Sequence, residues 1–203
     1  MIHLFDHRVE ILSPNPVFKM GKFTLFKAKI AFTRFNGERA SFSWLIFDRG
    51  DSVAILLRRQ SDAKICLVEQ FRPPTLAHYG QLSASGGGVL EIIAGTQEPG
   101  EEPESCVCRE VAEETGRLVK NLHLVTTTYM SPGASSEKIS LYLGEDDGDA
   151  GIPGGGLAEE MEDIRIHWIS VDEIKEMIQK GRIVDAKTIM AFQALLLELS
   201  TSS

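Results

Sequence analysis

Cysteine is scarce in this chain of 203 residues, which contains only Cys66, Cys106 and Cys108. A small, odd number of cysteines argues against the disulfide framework of small secreted proteins. The N-terminal segment MIHLFDHR has no basic stretch followed by an apolar run, so we expect no signal peptide. No apolar run approaches the ~20 residues that span a bilayer. These absences predict a protein of the reducing cytoplasm without a membrane partner.

Positive charge is also in deficit, with 21 Lys and Arg against 29 Asp and Glu and a net charge of -8. An acidic chain is poorly matched to polyanions, so nucleic acid and anionic membranes are excluded as main partners. The 43% apolar and 25% charged composition is that of an ordinary globular protein, with room for one domain and an appendage. A phosphate-bearing substrate would require metal ions and nearby arginines to offset the acidic field.

The N-terminal quarter of the chain is predicted to form strands. Asn36-Gly37 lies between two apolar runs and predicts a hairpin with a two-residue turn. So few residues cannot bury a core of their own, and they must pack on the rest of the chain or on a second copy of it. We therefore predict an antiparallel β region over residues 1–48, with a role in dimerisation, and a main domain over residues 49–203.

The main domain alternates apolar strands with helices. Strands are predicted at residues 53–57, 65–71, 89–93, 122–130, 139–144 and 164–169. Helices are predicted from Pro103 to Gly116, after a Ser170/Glu173 capping box, and over residues 186–199. The acidic, glycine-rich residues 145–156 are expected to be mobile. Burying all the apolar runs requires helices on both faces of a mixed sheet, which predicts an α/β fold.

The last turns of the first predicted helix carry three carboxylates. Glu110, Glu113 and Glu114 have i, i+3, i+4 spacing and share one helix face, where they repel one another. They also precede Gly116, at the helix end where the dipole disfavours negative charge. A hard divalent cation would neutralise the cluster, and carboxylate ligands suit Mg2+ or Mn2+ better than Zn2+. The simpler alternative is a solvated acidic face.

Seven residues in this region have the spacing G-x5-E-x7-R-E-U-x-E-E-x-G, where U is bulky and apolar. They are Gly95, Glu101, Arg109, Glu110, Glu113, Glu114 and Gly116. This pattern resembles the Nudix box of the Nudix hydrolases. The resemblance implies a Nudix-type α/β/α sandwich with a mixed central sheet, and structural roles for the two glycines and for an ion pair between Arg109 and Glu101. One position departs from the family pattern: Arg117 replaces an apolar residue, and we expect Leu118 to take its packing role.

The same resemblance implies the ligands of a divalent metal ion. Glu110 and Glu114 are the principal ligands, and the main-chain carbonyl of Ala94 joins them. Glu113 is expected both to bind metal and to take part in catalysis. Metal ions at such a site draw charge from two linked phosphates and lower the pKa of an attacking water. The reaction that the resemblance implies is hydrolysis of a nucleoside diphosphate linked to another group.

Five segments outside the box are similar to the ADP-ribose and GDP-mannose pyrophosphatase branch. They are DRGDSVAILL, VEQFRPP, LEIIAG, SPGASSE and LAEEMEDIRIHW. By this resemblance Arg72 would contact phosphates rather than lie on the surface, and Glu137 would bind a sugar hydroxyl rather than cap a backbone amide. Arg49 would lie near the base or phosphate, although a surface arginine is the simpler interpretation. Glu91 is either a substrate ligand or a solvated strand residue.

The resemblance also implies a catalytic loop. Glu160 and Glu162 match the positions of a general base and a further metal ligand, carried on a loop that moves in when substrate binds. The alternative is a solvated acidic stretch.

Three functions follow in order. The first is hydrolysis of ADP-ribose to AMP and ribose 5-phosphate. GDP-mannose or a UDP-sugar is the alternative substrate, since residues 154–156 and the DAKT segment at 185–188 look at least as much like GDP-mannose enzymes. A non-catalytic nucleotide-sugar sensor is third, because sensors usually lose box carboxylates and none is lost here. The branch also implies a homodimer through the N-terminal strands, with each chain helping to build its partner's nucleotide site.

Overall fold

The structure is a computed structural model that describes residues 9–76, 87–157, 159 and 161–201. Its contacts divide the chain into two compact units, with a boundary between Gly50 and Asp51. The first unit holds the residues up to Gly50 and Tyr129–Lys138, and the second holds Asp51–Thr128 and Ile139–Ser203. No helix in the described ranges is long and apolar enough to cross a membrane.

The first unit contains a three-stranded antiparallel sheet. Its strands, in spatial order, are β1 (Val9–Met20), β2 (Phe23–Thr33) and β3 (Arg39–Asp48). The strand-rich prediction for this region is therefore confirmed.

The hairpin between β2 and β3 lies where Asn36-Gly37 predicted it, but its loop is one residue longer than expected. Arg34 and Glu38 form the closing pair, because the Arg34 N–H donates to the Glu38 carbonyl at 2.8 Å. The Gly37 N–H donates to the Arg34 carbonyl at 2.9 Å, so the loop contains three residues. Three-residue loops of this kind are the next most common hairpin connection after two-residue turns.

The sheet of the first unit leaves large apolar side chains in solvent. On β3, Phe42 and Trp44 lie on one face of the sheet, whereas Leu45 and Phe47 lie on the other, because neighbouring residues of a strand point to opposite faces. All four side chains are exposed. On β1, Phe18 is also exposed. An exposed apolar surface of this extent is typical of an interaction site.

The second unit is built on a seven-stranded sheet. Its strands are β4 (Ser52–Arg58), β5 (Ile65–Phe71), β6 (Gly88–Glu91), β7 (Ile93–Thr96), β8 (Arg117–Tyr129), β9 (Lys138–Asp149) and β10 (Arg165–Ile169). The order is β10-β5-β4-β9-β8, with β6 beside β5 and β7 beside β4. β4 and β9 are parallel, whereas β4 is antiparallel to β5 and β7, so the predicted mixed sheet is confirmed. The single strand predicted at residues 89–93 is divided at Ile92 into β6 and β7.

Three α-helices lie in the described part of this unit: α1 (Pro103–Thr115), α2 (Val171–Gln179) and α3 (Ala186–Thr201). α1 has proline in its first turn and ends at Gly116, as predicted. α2 begins with the predicted capping box, in which the Ser170 and Glu173 side chains exchange hydrogen bonds with each other's backbone.

The buried residues of β4 place helices on both faces of the sheet. Val53, Ile55 and Leu57 share one core with Cys106, Val107 and Val111 of α1. Ala54 and Leu56 alternate with them and are also fully buried, so they point to the opposite face, and α3 packs on β4. The predicted sandwich of helices around a mixed sheet is thereby confirmed.

Two local predictions were wrong. Residues 145–149 belong to β9 instead of a mobile loop, and the buried Asp146 side chain accepts hydrogen bonds from Arg117 at 2.7 and 2.9 Å. Leu118 is 46% exposed, and it is Val119 that packs against the core. Arg117 thus turns toward Asp146, and the packing role moves two residues along the same face of the strand.

Candidate active site

Glu114 is the most deeply buried carboxylate of the acidic helix face. Glu114 is only 1% exposed, and its Oε2 atom has no hydrogen-bond partner among the described residues. Burial raises the pKa of this carboxyl well above its usual range, and the negative charges of Glu110 and Glu162 add to the effect. A buried, unpartnered carboxylate is costly unless a cation approaches it.

Glu110 lies in a space that Gly95 of β7 leaves open. A Cβ atom added at Gly95 would stand 1.8 Å from the Glu110 Cδ atom, so only glycine permits this approach. Burial raises the pKa of Glu110 to about 7, against the opposing charge of Arg109. The first glycine of the box therefore accommodates a box glutamate, which is a structural role.

Arg109 joins the loop before α1 to the acidic face. Its Nε and Nη2 atoms donate to the two carboxylate oxygens of Glu101 at 2.9 and 3.0 Å. Its Nη1 atom donates to Glu110 at 2.8 Å and to Glu113 at 2.9 Å. Hydrogen bonding to Arg109 lowers the pKa of Glu101 to about 2. The ion pair expected from the sequence is present, and Arg109 additionally neutralises two carboxylates of the cluster.

The carboxylate oxygens of the acidic helix face are suitable ligands for a hard divalent cation, although their side chains do not converge on one point. Within the described ranges, no three His, Cys, Asp or Glu side chains converge as a metal-binding group. Glu110 and Glu113 instead face Arg109. The unpartnered Glu114 oxygen, the close Glu110 carboxylate and the all-oxygen chemistry nevertheless match Mg2+ or Mn2+.

The glycine run Gly154–Gly156, which the sequence predicted to be mobile, is hydrogen-bonded to the end of α1. The Gly155 N–H donates to the Glu114 carbonyl at 2.8 Å, and the Gly156 N–H donates to the Glu113 carbonyl at 3.1 Å. Glu162 lies beyond this run, and its Oε2 atom accepts from the Leu157 N–H at 3.0 Å. The three consecutive glycines could have indicated this attachment, since glycine allows one stretch of backbone to contact another closely. Glu160, the other predicted loop residue, lies outside the described residues.

A second charged group surrounds Glu91 of β6. Glu91 is 2% exposed, so it is not the solvated residue that was one alternative. One oxygen accepts from Arg72 Nε at 2.7 Å and the other from Lys187 Nζ, which also lies 3.0 Å from Asp185. Arg72 is therefore held by a buried carboxylate rather than lying loose on the surface. Lys187 was not predicted as a site residue, although it lies in the DAKT segment at residues 185–188.

Arg49 and Glu137 lie in the first unit, where the structure brings them together. The Arg49 Nε and Glu137 Oε1 atoms are 3.6 Å apart. The Arg49 Nε atom is buried and has no hydrogen-bond partner among the described residues, while the Arg49 side chain as a whole is 36% exposed.

The chain is similar to known proteins over most of its length. The profile of the NUDIX domain family matches residues 48–192. The chain is 33% identical over 188 residues to the ADP-ribose pyrophosphatase of Escherichia coli K12, covering 92% of this chain and 87% of that protein. It is 36% identical over 148 residues to the GDP-mannose pyrophosphatase of Pectobacterium atrosepticum, covering 73% and 74%. A crystal structure of an ADP compounds hydrolase shares the fold, with a TM-score of 0.72, 18% identity and coverage of 97% and 96%.

Proposed function

Because this chain belongs to the Nudix hydrolase family, we propose that it cleaves the pyrophosphate bond of a nucleoside diphosphate sugar, with ADP-ribose as the preferred substrate. The products would be AMP and ribose 5-phosphate. The observation that carries the proposal is the buried Glu114 carboxylate near the charge of Glu110, because its Oε2 atom has no hydrogen-bond partner among the described residues. The extensive similarity to an ADP-ribose pyrophosphatase supports the choice of substrate.

Nudix enzymes of this kind depend on a metal ion, and Mg2+ or Mn2+ suits the ligands of this chain. Glu110, Glu113, Glu114 and the Ala94 carbonyl would hold it. When bound there, the ion would withdraw charge from the two phosphates and lower the pKa of the attacking water. Arg109 holds the Glu110 carboxylate by a hydrogen bond, and Gly95 leaves the space that this carboxylate occupies.

Several side chains outside the box would bind and orient the substrate. The Arg72 guanidinium is fixed by Glu91 through its Nε atom, so its fork can meet two phosphate oxygens. Glu162 and Glu160 are the candidates to accept the proton of the attacking water. Arg49 and Glu137, paired in the first unit, would contact the base or the sugar.

A panel of nucleotide sugars tests the proposal. Purified chain with Mg2+ and an added phosphatase should release phosphate fastest from ADP-ribose, more slowly from GDP-mannose and UDP-glucose. Fastest release from GDP-mannose would show that GDP-mannose, and not ADP-ribose, is the preferred substrate. The contact between Lys187 and Glu91 would then be the first to test by substitution. Tight nucleotide binding without turnover would contradict the enzyme and favour a sensor.

We also propose that residues 1–48 form a homodimer interface and that residues 49–203 form the hydrolase domain. The exposed apolar side chains of β1 and β3 support this, because a lone chain would leave them in water. Light scattering should give the mass of a dimer for the wild type and of a monomer for Leu45→Glu. Gln193→Glu, at an exposed site on α3, should remain dimeric. A monomeric wild type would contradict the interface.

The cytoplasm is the proposed location of the protein. The three cysteines are all free thiols, as expected in a reducing compartment. Recovery of the native protein from a membrane or secreted fraction would contradict the proposal.

A further inference from the structure

The segment Gly154–Gly156 is attached to the final turn of α1 by main-chain hydrogen bonds. Gly155 and Gly156 donate to the carbonyls of Glu114 and Glu113 at 2.8 and 3.1 Å. These carbonyls are among those that a helix end leaves without an intrahelical partner. The segment therefore binds to the backbone of the same residues whose side chains form the acidic cluster.

Two of the three positions have no space for a larger residue. A Cβ atom at Gly154 would stand 2.4 Å from the Thr115 carbonyl carbon, which is rigid backbone. A Cβ atom at Gly156 would stand 2.6 Å from the Glu162 Cβ atom and 2.8 Å from its Oε2 atom. Gly156 also has a φ angle of 81°, which side-chain-bearing residues rarely adopt. The Glu162 side chain thus packs directly on Gly156.

The residues that follow close back onto the same segment. The Ile164 N–H donates to the Gly155 carbonyl at 3.1 Å, and Ile164 itself is buried in the core beneath α1. The Leu157 N–H donates to the Glu162 carboxylate at 3.0 Å, while the Glu162 N–H donates to the Leu157 carbonyl at 3.2 Å. Glu162 is consequently fixed at both its backbone and its carboxylate.

We propose that Gly154–Gly156 is a positioning element that holds the Glu162 carboxylate in register with the acidic face of α1. Gly156 is the residue that acts on Glu162 directly, and Gly154 seats the segment on the helix. This inference rests on the proposed function, because it concerns the geometry of the same site.

The substitution Gly156→Ala tests this role. It should reduce kcat for the nucleotide sugar by about a hundredfold while leaving KM within about twofold, because a carboxylate displaced by about 1 Å loses its alignment but not the substrate contacts. Gly151→Ala is the matched control, since Gly151 also has a positive φ angle of 75° but an added Cβ would meet nothing within 4 Å. It should keep nearly full activity.

A double-mutant cycle separates positioning from general disruption. If Gly156 acts through Glu162, Gly156→Ala in a Glu162→Gln background should cause little further loss of kcat. A full additional loss, or wild-type kcat in Gly156→Ala alone, would overturn the proposal.

Amide exchange in the metal-free chain gives a readout that does not depend on activity. The Gly155 and Gly156 amides should exchange slowly in the wild type and quickly in Gly154→Ala. Exchange at the rate of an unfolded peptide in the wild type would overturn the proposal even if the alanine variants fail to fold. A wild type that hydrolyses no nucleotide sugar would overturn the proposed function, whereas protected amides in that same chain would still support the attachment.

Discussion

Replacing Glu114 with glutamine is expected to reduce kcat by about a thousandfold, equivalent to about 4 kcal/mol of transition-state stabilisation. The reason is that Glu114 is the most buried carboxylate of the cluster, and its Oε2 atom has no hydrogen-bond partner in the part of the chain that the structure describes. Glutamine keeps the shape but removes the charge that a divalent cation requires. Steady-state kinetics with Mg2+ and with Mn2+ would measure the loss.

The fold should survive this substitution. Burial raises the pKa of Glu114, so its ionised form destabilises the metal-free chain as the pH rises above the unfolded value of about 4.5. Urea denaturation should therefore show Glu114→Gln to be at least as stable as the metal-free wild type at pH 7, with no advantage at pH 4. Glu102→Gln, at an exposed carboxylate before the same helix, should keep wild-type activity. Normal turnover in Glu114→Gln would contradict the metal assignment.

Replacing Arg109 with methionine should destabilise the protein by about 2–3 kcal/mol at pH 7 and abolish most activity. Arg109 donates hydrogen bonds to Glu101, Glu110 and Glu113, and its removal leaves three half-buried carboxylates without their cation. Urea denaturation of both proteins gives the difference in the free energy of unfolding.

The pH dependence of that difference identifies its origin. The pKa of Glu101 is lowered to about 2 in the folded chain, so its share is complete above about pH 4.5 and is lost as the pH falls through 2. A matched double variant, Arg109→Met with Glu101→Gln, should recover part of the stability, because both partners of the pair are then absent. A difference that is independent of pH between 2 and 7, with no recovery in the double variant, would contradict the ion-pair explanation.

Local signals explain why much of the second unit could be predicted from the sequence. Pro103 and Gly116 mark the ends of α1, and the Ser170/Glu173 box marks the start of α2. Each signal acts within one helical turn, so distant parts of the chain do not alter it. The spacing of the acidic residues likewise predicts one helix face without reference to the rest of the fold.

Long-range contacts explain what could not be predicted. Lys187 and Glu91 are 96 positions apart, and no pattern in either segment indicates that they pair. The glycine run looked mobile because its hydrogen-bond partners lie on a helix some 40 residues earlier in the chain. Neighbouring residues of a strand point to opposite faces, so an error of one position exchanges an exposed and a buried side chain. For this reason the prediction assigned the packing role to Leu118, whereas Val119 packs against the core.

Metal binding by the purified chain is the most direct test of the central claim, which is that the carboxylates at the end of α1 hold a divalent cation. Isothermal titration calorimetry with Mn2+, with and without AMP, should show uptake by the wild type and by Glu102→Gln. Uptake should be strongly weakened in Glu114→Gln. A wild type that takes up neither Mn2+ nor Mg2+ under both conditions, or a Glu114→Gln variant that binds as well as the wild type, would contradict the claim.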